Sequence, residues 1–326
     1  MTDRILVAGA TGQLGRAAVR KLTTRGASVR ALVRSPESAA HFERLGVAAV
    51  LGDLTDGASL TRACDAITTI VATANAAIPT RRSDTFEAVE RDGYRNLIAA
   101  AKAARVRRFI YTSATASKHD GLSAFLQYKR ETERALGASG LDHVIFRAGP
   151  FMDVAFAMLG STIPLRGAEG ATVLRPFAFA NRHFASIQDN IEKKHVVRIP
   201  GDGTRRHGFV CIEDVAEFLT SAVFSGPSGA HIVGGPEALT FPDVIHIYER
   251  LLGVSLRVQR TPAAVFRMAV PLMRPFSPAG ANLMCLNYMA ATEDTPADQG
   301  AATAFGVPLT TAEAFLRSKI ALAATT

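Results

Sequence analysis

Residues 7–16 have the sequence VAGATGQLGR, in which glycines recur at every third position, at Gly9, Gly12 and Gly15. The apolar run at residues 5–8 predicts a strand, and the spacing of apolar residues from 14 to 22 predicts a helix. A glycine turn between a strand and a helix lets the backbone approach a ligand closely, and the helix start offers free N–H groups to an anion. The pattern predicts a binding site for the diphosphate of a dinucleotide, although a purely structural glycine turn is the alternative. The predicted contacts are Gly9, Thr11, Gly12, Gln13, Leu14 and Gly15.

The first 150 residues alternate strand-like and helical patterns, as successive βαβ units do. The predicted strands are residues 5–8, 28–33, 48–51, 67–71, 108–112 and 143–147. Helical patterns cover residues 14–22, which end before Gly26, and residues 84–104 and 123–138. We therefore predict an α/β protein with a Rossmann fold, a doubly wound parallel sheet. Residues 1–150 form the NAD(P)-binding domain, and residues 151–326 form a smaller mixed substrate lobe that is interwoven with it.

Three helix starts are predicted beyond residue 150, where the strand and helix alternation weakens. Asp214 with Glu217, Thr240 with Asp243 and Thr310 with Glu313 all have the spacing of a capping box. An apolar run with helical spacing follows the first residue of each pair. We expect a helix to begin at each of them.

The residue that follows the second predicted strand is Arg34. An NAD-specific site presents an acidic residue there to the ribose 2′-hydroxyl, whereas a guanidinium can bind the 2′-phosphate of NADP through charged hydrogen bonds. The sequence therefore favours NADP(H) as cofactor, with NAD(H) as the less favoured choice. The alternative is a solvent-exposed arginine on a basic protein.

Composition limits the classes of function. The chain has 326 residues, 48% of them hydrophobic, and a formal net charge of +8. Its basic residues are spread over many segments without interleaved aromatic residues, so we do not expect nucleic-acid binding. The three cysteines are far apart and predict neither a metal site nor disulfides. The absence of a signal-peptide pattern predicts a cytoplasmic protein, and no apolar run reaches the roughly 20 residues that a membrane span requires.

Beyond the glycine turn, several motifs carry a resemblance to a known family. They are Leu51-Gly52-Asp53-Leu54-Thr55, Ile110-Tyr111-Thr112-Ser113, Lys129 with Glu133, and residues 146–152, FRAGPFM. In order and spacing the chain resembles the atypical short-chain dehydrogenases/reductases, in particular the NmrA-like group with its isoflavone-reductase-like members. The resemblance implies that Asp53 and Leu54 lie beside the adenine. It also implies that Thr73, Ala74 and Asn75 lie near the cofactor, and that Ala148, Gly149 and Pro150 border the nicotinamide.

The chemistry departs from that of typical family members. A tyrosine four residues before the lysine exchanges the substrate proton in those enzymes, and here that position is Phe125. The resemblance implies that Lys129 binds the nicotinamide ribose, and it can also act as an acid through a water. Tyr128 on the next helical position can replace the missing acid or simply pack, and Ser113 can orient a substrate carbonyl or act as a cap.

Two functions are compatible with these residues. The first is an oxidoreductase that passes hydride from NADPH to a small apolar or aromatic carbonyl, quinone or enone. The second is a non-catalytic NADP(H)-binding redox sensor, regulator or assembly factor, which Phe125 favours. A segment rich in methionine and aromatic residues, 266–289, suits an apolar pocket, a core or the interface of a homodimer.

Overall fold

The computed structural model describes residues 4–79, 81–168 and 184–322. Its strands are β1 Arg4–Ala8, β2 Ser28–Val33, β3 Ala48–Leu51, β4 Thr69–Ala72, β5 Arg108–Ala114, β6 Asp142–Ala148, β7 Val196–Pro200, β8 Gly229–Val233 and β9 Arg257–Thr261. A seven-stranded sheet has the order β3-β2-β1-β4-β5-β6-β8, and all of its neighbouring strands pair in parallel. The doubly wound Rossmann sheet that the sequence predicted is confirmed.

The helices alternate with the strands in the first half of the chain. Their bounds are α1 Gln13–Thr24, α2 Pro36–Arg44, α3 Gly57–Ala63, α4 Tyr94–Ala103, α5 Ala124–Gly137, α6 Met152–Met158, α7 Asn190–Lys194, α8 Ile212–Phe224, α9 Phe241–Leu252, α10 Ala263–Met273, α11 Pro278–Thr292, α12 Ala301–Phe305 and α13 Ala312–Ala321. The first part of the predicted helix over residues 84–104 is not an α-helix in the structure, because Glu87–Gly93 forms a π-helix immediately before α4. Within the described residues, none of the helices combines the length and the apolarity needed to cross a bilayer.

The core lies on both faces of the sheet, which explains why β1 is a continuous apolar run. Ile5 and Val7 face a cluster that includes Ala18 and Leu22 of α1. Leu6 and Ala8 on the same strand face the opposite cluster, which contains side chains of α4. A parallel strand that is covered by helices on both faces has no polar face, so its sequence does not alternate.

The C-terminal half contributes a strand to the same sheet. Strand β8 pairs with β6, and α8 packs along α1. The smaller sheet contains β7 and β9, which pair in parallel.

The predicted helix start at Asp214 is wrong, because Cys211 is the N-cap of α8 and Asp214 lies in its first turn. The Asp214 carboxylate accepts hydrogen bonds from the backbone N–H and the hydroxyl of Thr310 instead. The capping box of Thr240 and Asp243 is confirmed. The start predicted at Thr310 is wrong by one residue, because Thr311 is the N-cap of α13 and its side chain accepts from the Ala314 N–H.

His207 lies in the core of the C-terminal lobe and predicts a pH dependence. Its ring packs against Phe209 and Phe241, and burial lowers its pKa from 6.5 to about 4. Between these two pH values His207 is protonated in the unfolded chain but neutral in the folded protein. The contribution of the neutral, buried ring to stability is therefore fully present above pH 6.5 and is lost as the pH falls towards about 4. We expect His207→Leu to remove a slope of about 1.4 kcal/mol per pH unit over this range. Urea unfolding at several pH values measures the slope. Equal slopes in the wild type and in His207→Leu contradict the assignment.

Candidate functional site

The turn between β1 and α1 is held together by its glycines. Gly9 has a positive φ of 92°, and a Cβ there would lie 2.7 Å from the Thr73 hydroxyl and 2.8 Å from Ala74 Cα. A Cβ on Gly15 would lie 2.7 Å from the carbonyl carbon of Gly9 and closer still to its oxygen. The N–H of Gly12 donates to the Gly9 carbonyl at 3.0 Å and closes the turn. Only glycine lets the helix start pack this tightly on the strand end.

The N-terminus of α1 is suited to an anion. Gly12 is the N-cap in an extended conformation, and among the described residues no side chain caps this helix start. The sequence of the first turn, from Gln13 onward, contains no Asp or Glu. Uncapped N–H groups and the positive end of the helix dipole therefore face the same point.

Gln13 and Thr11 of the turn have partners within the protein. Gln13 Nε2 donates to Asp153 Oδ1 at 3.4 Å, and Asp153 Oδ2 accepts from the Ile212 N–H at 2.9 Å. Burial raises the pKa of the Asp153 carboxyl. The Thr11 side chain is exposed, and its carbonyl accepts from Arg16 Nε. Asp153 thus connects the glycine turn to the start of α8.

Arg34 directly follows β2, as the sequence predicted, and lies among acidic and basic side chains. Its Nη1 is 2.7 Å from Asp84 Oδ1 and 4.0 Å from Asp53 Oδ2. Arg81 Nη1 lies 3.9 Å from the same Asp53 oxygen. Two guanidinium groups and two carboxylates therefore surround the place where β2 ends. Sequence analysis did not identify Arg81 or Asp84, because neither belongs to a recognisable motif.

Asp53 and Leu54 follow β3 and form a tight loop. Asp53 Oδ1 accepts from the N–H and the hydroxyl of Thr55, both at 2.9 Å, so its second oxygen faces the arginines. Leu54 is buried, and its carbonyl accepts from Asn96 Nδ2 at 3.1 Å. Both residues lie beyond the carboxyl end of a strand adjoining β2, where ligands of open α/β sheets bind.

The segment after β4 lies against the glycine turn. The N–H groups of Thr73 and Ala74 both donate to the Ala8 carbonyl, and the Thr73 hydroxyl also donates to it at 3.2 Å. Asn75 is exposed, and its Oδ1 accepts from the Ala77 N–H. The predicted contacts of β1 and β4 are therefore neighbours in the structure.

Lys129 is buried in an aromatic cage on α5, with 4% of its surface exposed. Its Nζ lies 4.9 to 5.6 Å from the ring centres of Tyr94, Tyr111 and Phe125. The ammonium also donates to the Thr112 carbonyl at 3.3 Å. These contacts hold the ammonium in one place by cation–π attraction and a hydrogen bond.

Glu90 is the ion-pair partner of Lys129, and sequence analysis missed it. The distance from Lys129 Nζ to Glu90 Oε2 is 3.1 Å, and Glu90 is completely buried. Its Oε1 accepts from the Ala76 N–H at 2.7 Å, directly after the predicted cofactor segment. Burial raises the pKa of this carboxyl, and the positive charge of the Lys129 ammonium offsets only part of that rise. Glu90 lies on the π-helix, an element that is frequently found at functional sites.

Ser113 and Tyr128 lie on different sides of the predicted catalytic region. The buried Ser113 hydroxyl donates to Glu133 Oε1 at 2.5 Å, and Arg147 donates to Glu133 Oε2. Tyr128 is half-buried beneath the guanidinium of Arg91, whose Cζ is 5.7 Å from the ring centre. Ser113 therefore belongs to a charged network at the ends of β5 and β6, whereas Tyr128 packs against the π-helix.

The predicted nicotinamide end lies where β6 meets the C-terminal half. The Gly149 N–H donates to the Val233 carbonyl of β8, and the Pro150 carbonyl accepts from the Val210 N–H. A Cβ on Gly149 would lie 2.6 Å from the Gly208 carbonyl oxygen. The Ala148 carbonyl accepts from the Thr115 N–H, so the loop after β5 is attached here as well.

That loop presents a second acid–base group that the sequence did not indicate. His119 Nε2 lies 3.3 Å from Glu293 Oε1, and the Ser117 hydroxyl donates to Glu293 Oε2 at 2.6 Å. The His119 ring is 4.9 Å from the ring of Tyr288 on α11. These four side chains join the carboxyl end of β5 to the C-terminal lobe.

Comparison with known proteins supports a nucleotide-binding domain. A family model described as NAD(P)H-binding matches residues 9–163. The chain is 28% identical to the photosystem II assembly factor Ycf39 of Cyanophora paradoxa over 267 residues, which are 81% of this chain and 74% of that protein.

Solved structures share the whole fold. The NADPH-dependent quinone oxidoreductase QOR2 of Escherichia coli, complexed with NADPH, superposes with a TM-score of 0.72 at 22% identity over 97% of this chain and 99% of that one. The triphenylmethane reductase of Citrobacter sp., complexed with NADP(H), has a TM-score of 0.71 at 16% identity with the same coverage. The chain therefore contains a domain that matches the NAD(P)H-binding family, and it shares its fold with these NADPH- and NADP(H)-complexed reductases.

Proposed function

We propose that the protein is an NADP(H)-dependent reductase that passes hydride to a small apolar or aromatic carbonyl, quinone or enone. The observation that carries the proposal is the alignment of an uncapped helix start, the arginine–aspartate cluster around Arg34 and a buried lysine along the carboxyl ends of β1, β2, β4 and β5. A dinucleotide that spans this edge places its diphosphate on α1 and its adenosine beside Arg34. Two structural neighbours, QOR2 and the triphenylmethane reductase, are complexed with NADPH or NADP(H) in the same fold, which supports the choice of ligand.

Lys129 is the group that we assign to the nicotinamide ribose. An ammonium has three N–H donors, of which one donates to the Thr112 carbonyl, and Glu90 Oε2 lies at ion-pair distance. We propose that another N–H bonds a ribose hydroxyl or a water next to the substrate. NADPH, when bound, supplies the hydride, and the protein orients the acceptor and delivers a proton to its oxygen. Phe125 cannot deliver that proton, so the ammonium of Lys129 does so through water.

The remaining predicted groups support this assignment to different degrees. We propose that Ser113 acts mainly on Glu133, since its hydroxyl is already directed there. Tyr128 is the weaker proton donor, because it packs beneath Arg91. Thr73, Ala74 and Asn75 lie between the diphosphate and the nicotinamide, and Ala148 to Pro150 form the far end of the site.

Arg34 is proposed to select NADP(H) over NAD(H), with Arg81 as a second cation. Arg34→Asp replaces a cation that can donate hydrogen bonds to the 2′-phosphate by an anion that repels it. We therefore expect NADPH binding to weaken by about 1 to 3 kcal/mol. The affinity for NADH should change less, because NADH has no 2′-phosphate. Calorimetric titration with each dinucleotide measures both changes. Equal weakening of the two cofactors would refute the assignment.

Activity is tested by mixing the protein with NADPH and a panel of quinones, azo dyes and aromatic enones, while the absorbance of the reduced nicotinamide is followed. We expect oxidation with at least one acceptor and its loss in Lys129→Met. The measured affinity of Lys129→Met for NADPH separates a lost proton donor from a lost binding site. Slow turnover that is unchanged in Lys129→Met would remove the lysine from the mechanism.

A second function, an NADP(H)-binding assembly factor or redox sensor, is favoured by Phe125 and by the curated relatives. The Ycf39 proteins that resemble this chain over most of its length are described as assembly factors. NADPH that binds tightly but is oxidised with none of the acceptors would support this function over the reductase.

We also propose a reducing, cytoplasmic location and a homodimer. The three cysteines, Cys64, Cys211 and Cys285, are buried and unpaired in the described structure, as expected in a compartment where thiols stay reduced. Light scattering of the purified protein tests the dimer.

A further inference from the structure

The end of β2 carries four charged side chains whose signs cancel. Arg34 and Arg81 are the cations and Asp53 and Asp84 are the anions, and we call these four residues the charge cluster. Arg34 Nη1 donates to Asp84 Oδ1 at 2.7 Å, whereas Asp53 Oδ2 is 4.0 Å from the same nitrogen. The Asp84 side chain is only 11% exposed, so solvent screens this contact in part. The guanidinium that we assign to the 2′-phosphate is therefore already bonded to a carboxylate of the chain.

Asp84 is oriented towards Arg34 by a short turn. Its Oδ2 accepts from the Arg81 N–H at 3.1 Å, and its own N–H donates to the Arg81 carbonyl at 3.1 Å. The two oxygens of the carboxylate thus have different partners, since Oδ2 closes the turn and Oδ1 accepts from Arg34. Because the turn does not use Oδ1, the contact with Arg34 can be given up while the turn persists.

The 2′-phosphate of NADPH needs the same cation. A phosphate monoester carries a charge of about −1.5 to −2 at neutral pH. Two guanidinium groups are balanced by two carboxylates in the charge cluster, so the phosphate meets no net positive charge while both carboxylates stay in place. The 2′-hydroxyl of NADH is uncharged, and a carboxylate is its usual partner. The charge cluster as it stands therefore disfavours NADPH more than NADH.

We propose that Asp84 competes with the 2′-phosphate of NADPH for Arg34 and thereby limits the preference for NADPH over NADH. When NADPH binds, the phosphate takes the place of Asp84 Oδ1 on the guanidinium. One charged hydrogen bond is exchanged for another, so only part of the phosphate's interaction with Arg34 contributes to affinity. Asp84 determines specificity by acting through Arg34. This inference rests on the proposed function, since it requires a dinucleotide whose adenosine lies beside Arg34.

Calorimetric titration of the wild type and of Asp84→Asn with NADPH and with NADH tests the proposal. Asparagine has nearly the same shape, and its amide oxygen can still accept from the Arg81 N–H, so the turn is retained. The substitution removes the anion that competes for Arg34, and we expect NADPH to bind about ten-fold more tightly. The affinity for NADH should change by less than about two-fold, because NADH has no 2′-phosphate.

Asp92→Asn is the matched control. Asp92 is also paired with an arginine, since its Oδ1 lies 2.8 Å from Arg91 Nε on the π-helix. The control removes the same charge and one ion pair outside the charge cluster, so both affinities should stay unchanged. A second comparison places Asp84→Asn in an Arg34→Leu background. The gain in NADPH affinity should fall below about three-fold there, because no guanidinium is left to be released.

NADPH binding that is unchanged or weaker in Asp84→Asn overturns the proposal, whereas the proposed function stands as long as the wild type binds the dinucleotide. Equal tightening of NADPH and NADH also overturns it, because the effect would not depend on the 2′-phosphate. A gain that persists in full with Arg34→Leu would mean that Asp84 acts by general repulsion and not through Arg34, which overturns it as well. No heat with either dinucleotide, in the wild type and in every variant, refutes the proposed function and this inference with it.

Discussion

Gly15→Ala is expected to weaken NADPH binding about a hundred-fold or more. The added Cβ would lie 2.7 Å from the Gly9 carbonyl carbon and 2.9 Å from Ala10 Cα. Both are backbone atoms of the turn, so they cannot rotate away as a flexible side chain would. Helix α1 must then move off the strand end by roughly 1 Å, and a displacement of that size costs about a hundred-fold where positioned groups must meet a ligand. The N–H donors that face the diphosphate move with the helix.

Calorimetric titration with NADPH measures this effect, and circular dichroism shows whether the variant remains folded. Gly137→Ala is the matched control, because a Cβ at this end of α5 meets no atom of the described structure within 4 Å. It adds the same methyl group to a helix and should leave NADPH affinity unchanged. An unaltered affinity in folded Gly15→Ala would show that the diphosphate does not rest on α1.

Glu90→Gln is expected to lower the free energy of unfolding by about 3 to 5 kcal/mol. It leaves the buried ammonium of Lys129 without its counter-charge, and an unpaired charge in a protein interior is strongly destabilising. Lys129→Met should cost less, because burial already raises the pKa of Glu90 and the carboxyl can take up a proton when the ammonium is gone. We therefore expect Glu90→Gln to lower the free energy of unfolding more than Lys129→Met does.

The double variant Glu90→Gln/Lys129→Met completes the cycle. It removes both charges, so we expect it to be more stable than Glu90→Gln alone, with a coupling energy of about 2 kcal/mol or more. Urea unfolding of the four proteins at neutral pH measures the coupling. Additive effects of the two substitutions would mean that the ion pair does not contribute to stability.

The glycine turn and the strands could be predicted because their signals are local. The apolar run of β1 and the glycines at 9, 12 and 15 need no knowledge of distant residues. The position of Arg34 could also be predicted, because it directly follows β2. Its neighbours Asp84 and Arg81 could not be predicted, because the path of the chain after β4 brings them there.

Glu90 shows why part of the site could not be predicted. Glu87 and Glu90 occur in the same helical pattern, yet Glu87 is exposed and pairs with Arg91 while Glu90 is completely buried. The π-helix changes the rotation of each residue around the axis, so a helical period of 3.6 misplaces them. Asp214 is a similar case, since the path of the chain from Cys211 decides where α8 begins.

We propose that a dinucleotide diphosphate rests on the uncapped start of α1 with its adenosine beside Arg34. Calorimetric titration of the full chain with NADPH and then with NADH tests it most directly, with thermal unfolding as a second readout. We predict saturable heat for one site per chain, a dissociation constant in about the micromolar range and tighter binding of NADPH. Neither heat nor a rise in melting temperature with either dinucleotide would contradict the claim.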